Sequence, residues 1–187
     1  MSIVQQYLIS QGVEPAAAAV VATHFKYRQL GRGEYFVKEG TTSRQLALLV
    51  SGQIQYFSIT DTGEEKTTYV SLAPSFAASL LSYLTEAPAR ENLRTLAPCE
   101  LWVIDKQSAT TLQDSVPAFK DFYIGLLEWQ LCCIDKAKFD IITLTAEQRY
   151  EKLLHEEPAL LQQVPLQYIA SMLGITPRHL SRLRQKK

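Results

Sequence analysis

The chain has 187 residues, of which 47% are hydrophobic and 20% are charged, and its formal net charge is zero. This length allows one large domain, or a medium domain with a small one, and the composition supports a substantial core. Cys99, Cys132 and Cys133 match neither a disulfide framework nor a zinc-site spacing, so a cytoplasmic location is expected. The apolar run at residues 16–22 is too short to span a bilayer, so no membrane partner is expected.

The charge is unevenly distributed along the chain. Glu157 is the last acidic residue, and residues 158–187 carry five lysines and arginines, a charge of +5. Residues 1–157 hold 14 basic and 19 acidic residues, a net charge of −5. An acidic body with a basic end favours contact between that end and nucleic acid, although a solvated basic tail would give the same pattern.

The first two thirds of the chain read as helices followed by a β-rich region. Residues 3–25 are predicted to be helical, with Pro15 in the first turn of a second short helix. From Gln29 to Asp105, short apolar runs alternate with glycine-marked turns, which predicts a sandwich or jelly roll with a short helix at residues 80–84. The predicted strands are residues 34–38, 46–51, 53–60, 65–71 and 100–104, with a hairpin turn at 61–63.

A long helix is predicted over residues 117–142. It carries more apolar surface than one face of a sandwich needs, so a partner helix is expected; burial within its own domain is the alternative. On or near one stripe lie Phe119, Phe122, Tyr123, Leu126, Leu127, Gln130, Ile134 and Ala137, and the opposite side holds Trp129, Leu131 and Cys132.

After a further helix at residues 142–156, the segment 165–187 has the features of a helix-turn-helix. Ala170 is small enough to let two helices approach, and Gly174 can adopt the positive φ of the turn. Thr176 and Pro177 suit the N-cap and first turn of the second helix. An ordinary helical hairpin is the alternative. The residues predicted to line the inner faces are Ile169, Leu173, Ile175, Leu180 and Leu183.

The second helix, residues 176–185, is predicted to read DNA. Its exposed side chains are hydrogen-bond donors suited to base edges in the major groove, and the basic residues near its end suit phosphates. The predicted DNA-binding residues are Thr176, Arg178, His179, Ser181, Arg182, Arg184 and Lys186, with Gln185 and Lys187 as further candidates.

The chain from residue 20 onwards resembles the Crp/Fnr family of bacterial transcription regulators. The helix-turn-helix carries this resemblance, together with Val37-Lys38-Glu39-Gly40 and the run from Leu46 to Ile54, which are similar to the family's glycine-closed paired strands. The resemblance implies an α+β fold: a cyclic-nucleotide-binding-like double-stranded β-helix, or jelly roll, with flanking helices (1–116), a dimerisation helix (117–142) and a helix-turn-helix domain (143–187). It further implies a homodimer that binds a pseudo-palindrome in double-stranded DNA and can contact RNA polymerase. No wing hairpin is expected after the recognition helix, as in the short Bacteroidetes-type members.

The resemblance does not extend to cyclic AMP. Family members that bind the nucleotide use a Gly-Glu pair for the ribose and an Arg-Ser pair for the phosphate. Here Ala78 and Ser79 occupy the first position, whereas Arg90 stands one step out of register and is followed by Glu91, which opposes an anion. A pocket for an unidentified small effector is expected at Ala78, Ser79, Leu80 and Arg90; the alternative is a domain filled by its own side chains, which would imply constitutive binding or a different trigger.

Other functions have little support in the sequence. No nucleophile elbow, Walker motif or paired carboxylates suggest an enzyme, and the scattered histidines and cysteines suggest neither a metal nor another cofactor. The remaining rival is a ligand-binding or protein-interaction module whose helix-turn-helix does not bind DNA.

Overall fold

The computed structural model describes residues 1–185. It begins with two short helices, α1 (Ile3–Ser10) and α2 (Pro15–Ala22), which are separated at Gly12, where φ is +87°. Ser2 caps α1, because its hydroxyl accepts a hydrogen bond from the backbone N–H of Gln5. The predicted helical region 3–25 is therefore interrupted, and Pro15 begins the second helix as expected.

Residues 26–105 form a β-roll, which we call the roll. Its strands are β1 (Lys26–Leu30), β2 (Tyr35–Val37), β3 (Gln45–Ser51), β4 (Gln53–Ile59), β5 (Glu65–Leu72), β6 (Ser75–Ala77), β7 (Asn92–Thr95) and β8 (Cys99–Asp105), with helix α3 (Leu80–Thr85) before β7. They make two four-stranded antiparallel sheets, ordered β1-β8-β3-β6 and β2-β7-β4-β5. The predicted jelly-roll class is confirmed.

The central strand β3 shows why this region reads as apolar runs. Leu49 faces the interior between the sheets, whereas Leu48 packs on the other side against the flanking helices. A strand covered on both faces is apolar at consecutive positions and does not alternate.

Two helices follow the roll. The first, α4 (Lys106–Ser115), starts at Asp105, whose carboxylate accepts a hydrogen bond from Ser108 N at 2.8 Å. The second, α5 (Pro117–Thr143), is 27 residues long. Its first turns pack on the roll through Phe119 and Tyr123, which are buried in a cluster with α1, α2 and α4. The apolar side chains of its C-terminal half remain exposed to solvent.

Four helices form a C-terminal unit, which we call the head (residues 145–185). They are α6 (Ala146–Glu156), α7 (Pro158–Gln163), α8 (Leu166–Met172) and α9 (Pro177–Gln185). The break between α5 and α6 is encoded by a capping box: Thr145 Oγ1 accepts from Gln148 N at 3.2 Å, and Gln148 Oε1 accepts from Thr145 N at 2.9 Å.

The head packs on the second sheet of the roll. Helix α8 lies on β5, an edge strand, and Ser171 Oγ accepts a hydrogen bond from the edge N–H of Thr67 at 2.9 Å. Val70 of the same strand is fully buried in the hydrophobic cluster of the head. A polar chain leads away from this contact into the sheet. Gln55 Nε2 donates to Thr67 Oγ1 at 2.8 Å, and Arg94 Nη2 donates to Gln55 Oε1 at 2.9 Å.

None of the helices within residues 1–185 is long and apolar enough to span a bilayer.

Candidate nucleic-acid interface

The turn between α8 and α9 has the geometry that the sequence predicts. Gly174 has a φ of +69°, and its N–H donates to the carbonyl of Ser171 at 3.0 Å, while Ile175 N donates to Ala170 O, also at 3.0 Å. These two bonds are those of a Schellman motif, which ends a helix and satisfies its last carbonyls. Ala170 is completely buried, consistent with the close helix approach expected at this position.

Thr176 begins the second helix as its N-cap. Its hydroxyl accepts a hydrogen bond from His179 N at 3.2 Å, and its carbonyl accepts from Leu180 N at 3.1 Å. Pro177 occupies the first turn, where its missing N–H costs no helical hydrogen bond. The predicted start of the second helix is therefore confirmed.

One face of α9 is buried in a small apolar core. Leu180 and Leu183 pack there against α8, and Tyr150 and Leu160 bring α6 and α7 into the same cluster. All five predicted inner-face residues belong to it, with Ile175 only partly buried. The core fixes which face of α9 points to solvent.

The opposite face of α9 is polar and exposed. With 100° per residue, Arg178, Ser181, Arg182 and Gln185 stand opposite the buried leucines, at positions i, i+3, i+4 and i+7. The remaining predicted contact residues of this helix, His179 and Arg184, are exposed on its flanks.

The structure places Gln185, a further candidate from the sequence, on the exposed face and leaves two candidates untested. Gln185 stands in the centre of the exposed face, and its i+7 spacing from Arg178 is the signal in the sequence that marks it. Lys186 and Lys187, by contrast, lie outside the described residues. Because residues 158–185 contain no carboxylate side chain, the arginines of this face meet no acidic competitor from that segment.

The predicted effector pocket is arranged differently. Ser79 is buried, Ala78 and Leu80 are partly buried, and Arg90 is exposed. The inward position is taken by Glu91, whose carboxylate accepts a hydrogen bond from Ser79 Oγ at 3.4 Å. Burial raises the pKa of the Glu91 carboxyl, and the Ser79 hydroxyl offsets part of that rise. Ser79 and Glu91 thus come together, and the Arg90 side chain stands apart from them.

Tyr56 completes the polar group at this place in the roll. Burial raises the pKa of its hydroxyl, as does the nearby carboxylate of Glu91, while a hydrogen bond with the backbone of Ala78 lowers it. Its ring meets that of Tyr69 edge-on, with 5.8 Å between centroids. The carboxylate favours a group that donates hydrogen bonds and opposes a phosphate, whereas the phenol and the hydroxyl can either donate or accept.

In the described part of the chain, no three His, Cys, Asp or Glu side chains lie close enough together to hold a metal ion.

Comparison with known proteins agrees with this architecture. The family model of the cyclic nucleotide-binding domain matches residues 27–115. No curated protein matches the sequence. The solved structures with a similar fold include regulators of the Crp/Fnr family.

Three solved structures illustrate the range. The catabolite activator protein of Thermus thermophilus is 18% identical, with a TM-score of 0.62 over 96% of this chain and 85% of that one. FixK2 of Bradyrhizobium japonicum is 12% identical, with a TM-score of 0.74 over 87% and 83%. The c-di-GMP-responsive global regulator CLP of Xanthomonas campestris is 18% identical, with a TM-score of 0.70 over 92% and 91%. At these identities the likeness concerns the fold.

Proposed function

We propose that the chain is a cytoplasmic, homodimeric, DNA-binding transcription regulator, because residues 27–115 match the model of the cyclic nucleotide-binding domain and the fold is similar to that of Crp/Fnr regulators. The observation that carries the proposal is the exposed face of α9, where Arg178, Ser181, Arg182 and Gln185 stand opposite a buried leucine pair.

The exposed face suits direct readout of bases. Arginine can donate two parallel hydrogen bonds to a guanine edge, and glutamine can pair with adenine in the same way. Arg178 and Arg182 lie one helical turn apart, so both can face the floor of one major groove. Arg184 on the flank, with Lys186 beyond the described residues, suits the phosphates on either side.

The exposed half of α5 supports a dimer. Ile124, Leu127, Leu131, Ile134, Lys138 and Ile141 follow one another at alternating intervals of three, four, three, four and three residues, and we call this row the seam. That spacing is the a and d pattern of a coiled coil. Leu131 and Ile141 are 66% and 65% exposed, far more than apolar side chains of this size need to be on a monomer surface. A second copy that pairs in parallel along the seam would bury them.

Such a dimer determines the kind of DNA site. Two heads related by a twofold axis present two recognition helices, which read a pseudo-palindrome with half-sites about one helical turn, roughly 34 Å, apart. The effector, in this proposal, is a small molecule that donates hydrogen bonds to Glu91 and Tyr56, and cyclic AMP is disfavoured because a half-buried carboxylate faces the place of its phosphate. RNA polymerase would be the further partner at the promoter.

A salt-titrated mobility shift tests DNA binding. The protein is mixed with a randomised palindromic library and with random non-palindromic DNA at increasing salt, with the double variant Arg178→Ala, Arg182→Ala in parallel. We expect retention of a palindromic subset by the wild type only, with affinity that falls as salt rises. No shift at low salt with either DNA would instead favour the protein-interaction module.

Sedimentation equilibrium tests the dimer. Leu131→Glu places a charge in the seam and is expected to give a monomer, whereas Lys136→Glu, on the side of α5 away from the seam, should leave the dimer intact. A monomeric wild type, or a Leu131→Glu variant that dimerises normally, would contradict the seam.

A further inference from the structure

Arg149 of α6 joins the C-terminal ends of two other helices. Its Nη1 donates to the carbonyl of Leu144 at 2.6 Å, and its Nη2 donates to the carbonyl of Leu173 at 2.7 Å. Leu144 is the C-cap of α5, and Leu173 is the C-cap of α8. A single guanidinium therefore connects the long helix with the first helix of the helix-turn-helix.

The chemistry of this contact favours a fixed angle between α5 and α8. Carbonyls at a helix C-terminus lack intrahelical partners and carry partial negative charge, so a cation between two such ends is attracted to both. A guanidinium holds its donors in one plane in a rigid fork, which restrains the direction of both acceptors as well as their distance. Among the described residues no hydrogen-bond partner meets the buried Nε of Arg149, so the two carbonyl contacts account for the placement of this side chain.

The contact between Arg149 and Leu173 lies next to the turn that orients α9. Leu173 immediately precedes Gly174, and Thr176 begins α9 three residues after the carbonyl that Arg149 holds. Because α8 and α9 share one buried core, α9 follows any rotation of α8. The angle that Arg149 holds between α5 and α8 is thus also the angle between the seam and the recognition helix.

We infer that Arg149 is a positioning residue that sets the half-site spacing of the DNA site. The inference rests on the proposed function, since it requires a dimer paired along α5 that binds two half-sites. In that dimer, a change in the angle between α5 and α8 moves the two recognition helices apart or rotates them, and each base pair of spacing corresponds to about 3.4 Å along the DNA axis. Arg149 itself is half-buried, and its guanidinium is held by the carbonyls of Leu144 and Leu173, away from the exposed face of α9.

Another contact competes for this role. The head also rests on β5 through Ser171 and Val70, and a salt bridge from Lys152 to Asp140 ties α6 to α5. If the contact with β5 sets the orientation of the head, the loss of Arg149 leaves the spacing preference unchanged. The experiment therefore measures spacing preference as well as affinity.

The test uses the full-length protein and a set of palindromes whose spacer varies by one base pair at a time around the preferred length, together with a DNA that holds a single half-site. Fluorescence anisotropy gives the Kd for each DNA with the wild type, Arg149→Met and Arg149→Lys. Arg32→Met, which removes an exposed cation from a loop of the roll, is the matched control for charge.

We expect the wild type and Arg32→Met to prefer one spacing by about tenfold or more over its neighbours, the effect of one lost base contact or more. Arg149→Met should reduce that preference to about threefold or less, with a smaller change for the single half-site. Arg149→Lys keeps the charge without the planar fork, so its preference should also fall, although less far.

Thermal unfolding is measured for each variant, and Arg149→Lys decides the question if Arg149→Met does not fold. A wild-type preference retained in the folded Arg149 variants would overturn the inference and assign the orientation of the head to β5, and a flat wild-type profile would also overturn it. Failure of the wild type to bind any palindrome is a different result, because it refutes the proposed function itself.

Discussion

The roll and the head differ in where their polar side chains point. At the predicted effector pocket, the roll turns Glu91 and Ser79 towards each other and leaves Arg90 in solvent. The head buries two leucines of α9 and turns its arginines outward. The roll thus pairs polar groups with one another inside the fold, whereas the head leaves the polar groups of α9 free to contact a partner.

The two regions are nevertheless in direct contact. Hydrogen bonds link Arg94 to Gln55 and Gln55 to the Thr67 hydroxyl, and the backbone N–H of Thr67 donates to Ser171 of α8, so the second sheet of the roll is connected to the head. Such a chain gives a change inside the roll a physical route to the head, provided that the chain has two alternative arrangements. Substitutions in each region test whether the roll and the head unfold and act independently.

The largest expected effect comes from the small core of the head. Leu180 is 1% exposed, and Leu180→Ala should cost about 2–5 kcal/mol, because it removes apolar contacts and leaves a cavity. We expect hydrogen exchange to increase in α8 and α9, with protection of β3 and β8 retained, and DNA binding to be lost. The matched change Leu101→Ala in the roll should increase exchange in the sheets. Equal loss of protection along the whole chain in both variants would mean that roll and head unfold as one unit.

The next largest effect is on DNA affinity, from substitutions on the exposed face of α9 that should leave the free energy of unfolding unchanged. Arg182→Ala should weaken specific DNA binding by about 1–3 kcal/mol and relax the preference at one base position. Lys186→Ala should weaken binding to all sequences alike and lower the slope of affinity against salt. Titration of specific and random DNA separates the two roles. Equal losses on both DNAs in Arg182→Ala would show that Arg182 contacts only the backbone.

The turn of the head gives a smaller effect. Gly174 has a φ of +69°, and the nearest heavy atom to an added Cβ would be Arg149 Nη2 at 3.9 Å, an ordinary contact. Gly174→Ala should therefore cost only the backbone strain of a left-handed residue, about 1–2 kcal/mol in urea unfolding. Gly174→Asn should cost less, because asparagine tolerates this conformation. A larger loss for asparagine than for alanine would point to crowding at the turn.

The head was more predictable from the sequence than the roll, for physical reasons. Gly174, Thr176 and Pro177 act within a few residues of their partners, so local chemistry determines the turn and the cap. The strand β1 escaped prediction because four of its five residues are not buried, and β7 because it is short and carries Asn92 and Arg94. Helix α4 is largely polar, and α7 has only six residues.

Contacts between distant residues could not be predicted at all. The pairing of Ser79 with Glu91 depends on how β7 and α3 meet, and the two bonds of Arg149 depend on the ends of helices whose carbonyls are 29 residues apart in sequence, at Leu144 and Leu173. Motifs with local geometry are visible in a single sequence, whereas a side chain that bridges separate elements becomes visible only in the fold.

The smallest effect concerns Glu91 and returns to the roll. Burial raises the pKa of its carboxyl, so the folded protein holds a proton at pH values where the unfolded chain has released it. Stability contributed by this group is therefore present below the unfolded pKa of about 4.3 and is lost as pH rises through the higher folded pKa. Glu91→Gln cannot ionise and keeps an acceptor for Ser79 Oγ, so it should be more stable than the wild type at pH 7, with an advantage that disappears towards pH 4. Urea unfolding across this range measures it, with Glu14→Gln as the same change at an exposed position. An advantage that persists undiminished at pH 4 would mean that packing of the amide, and not loss of the buried charge, stabilises the variant.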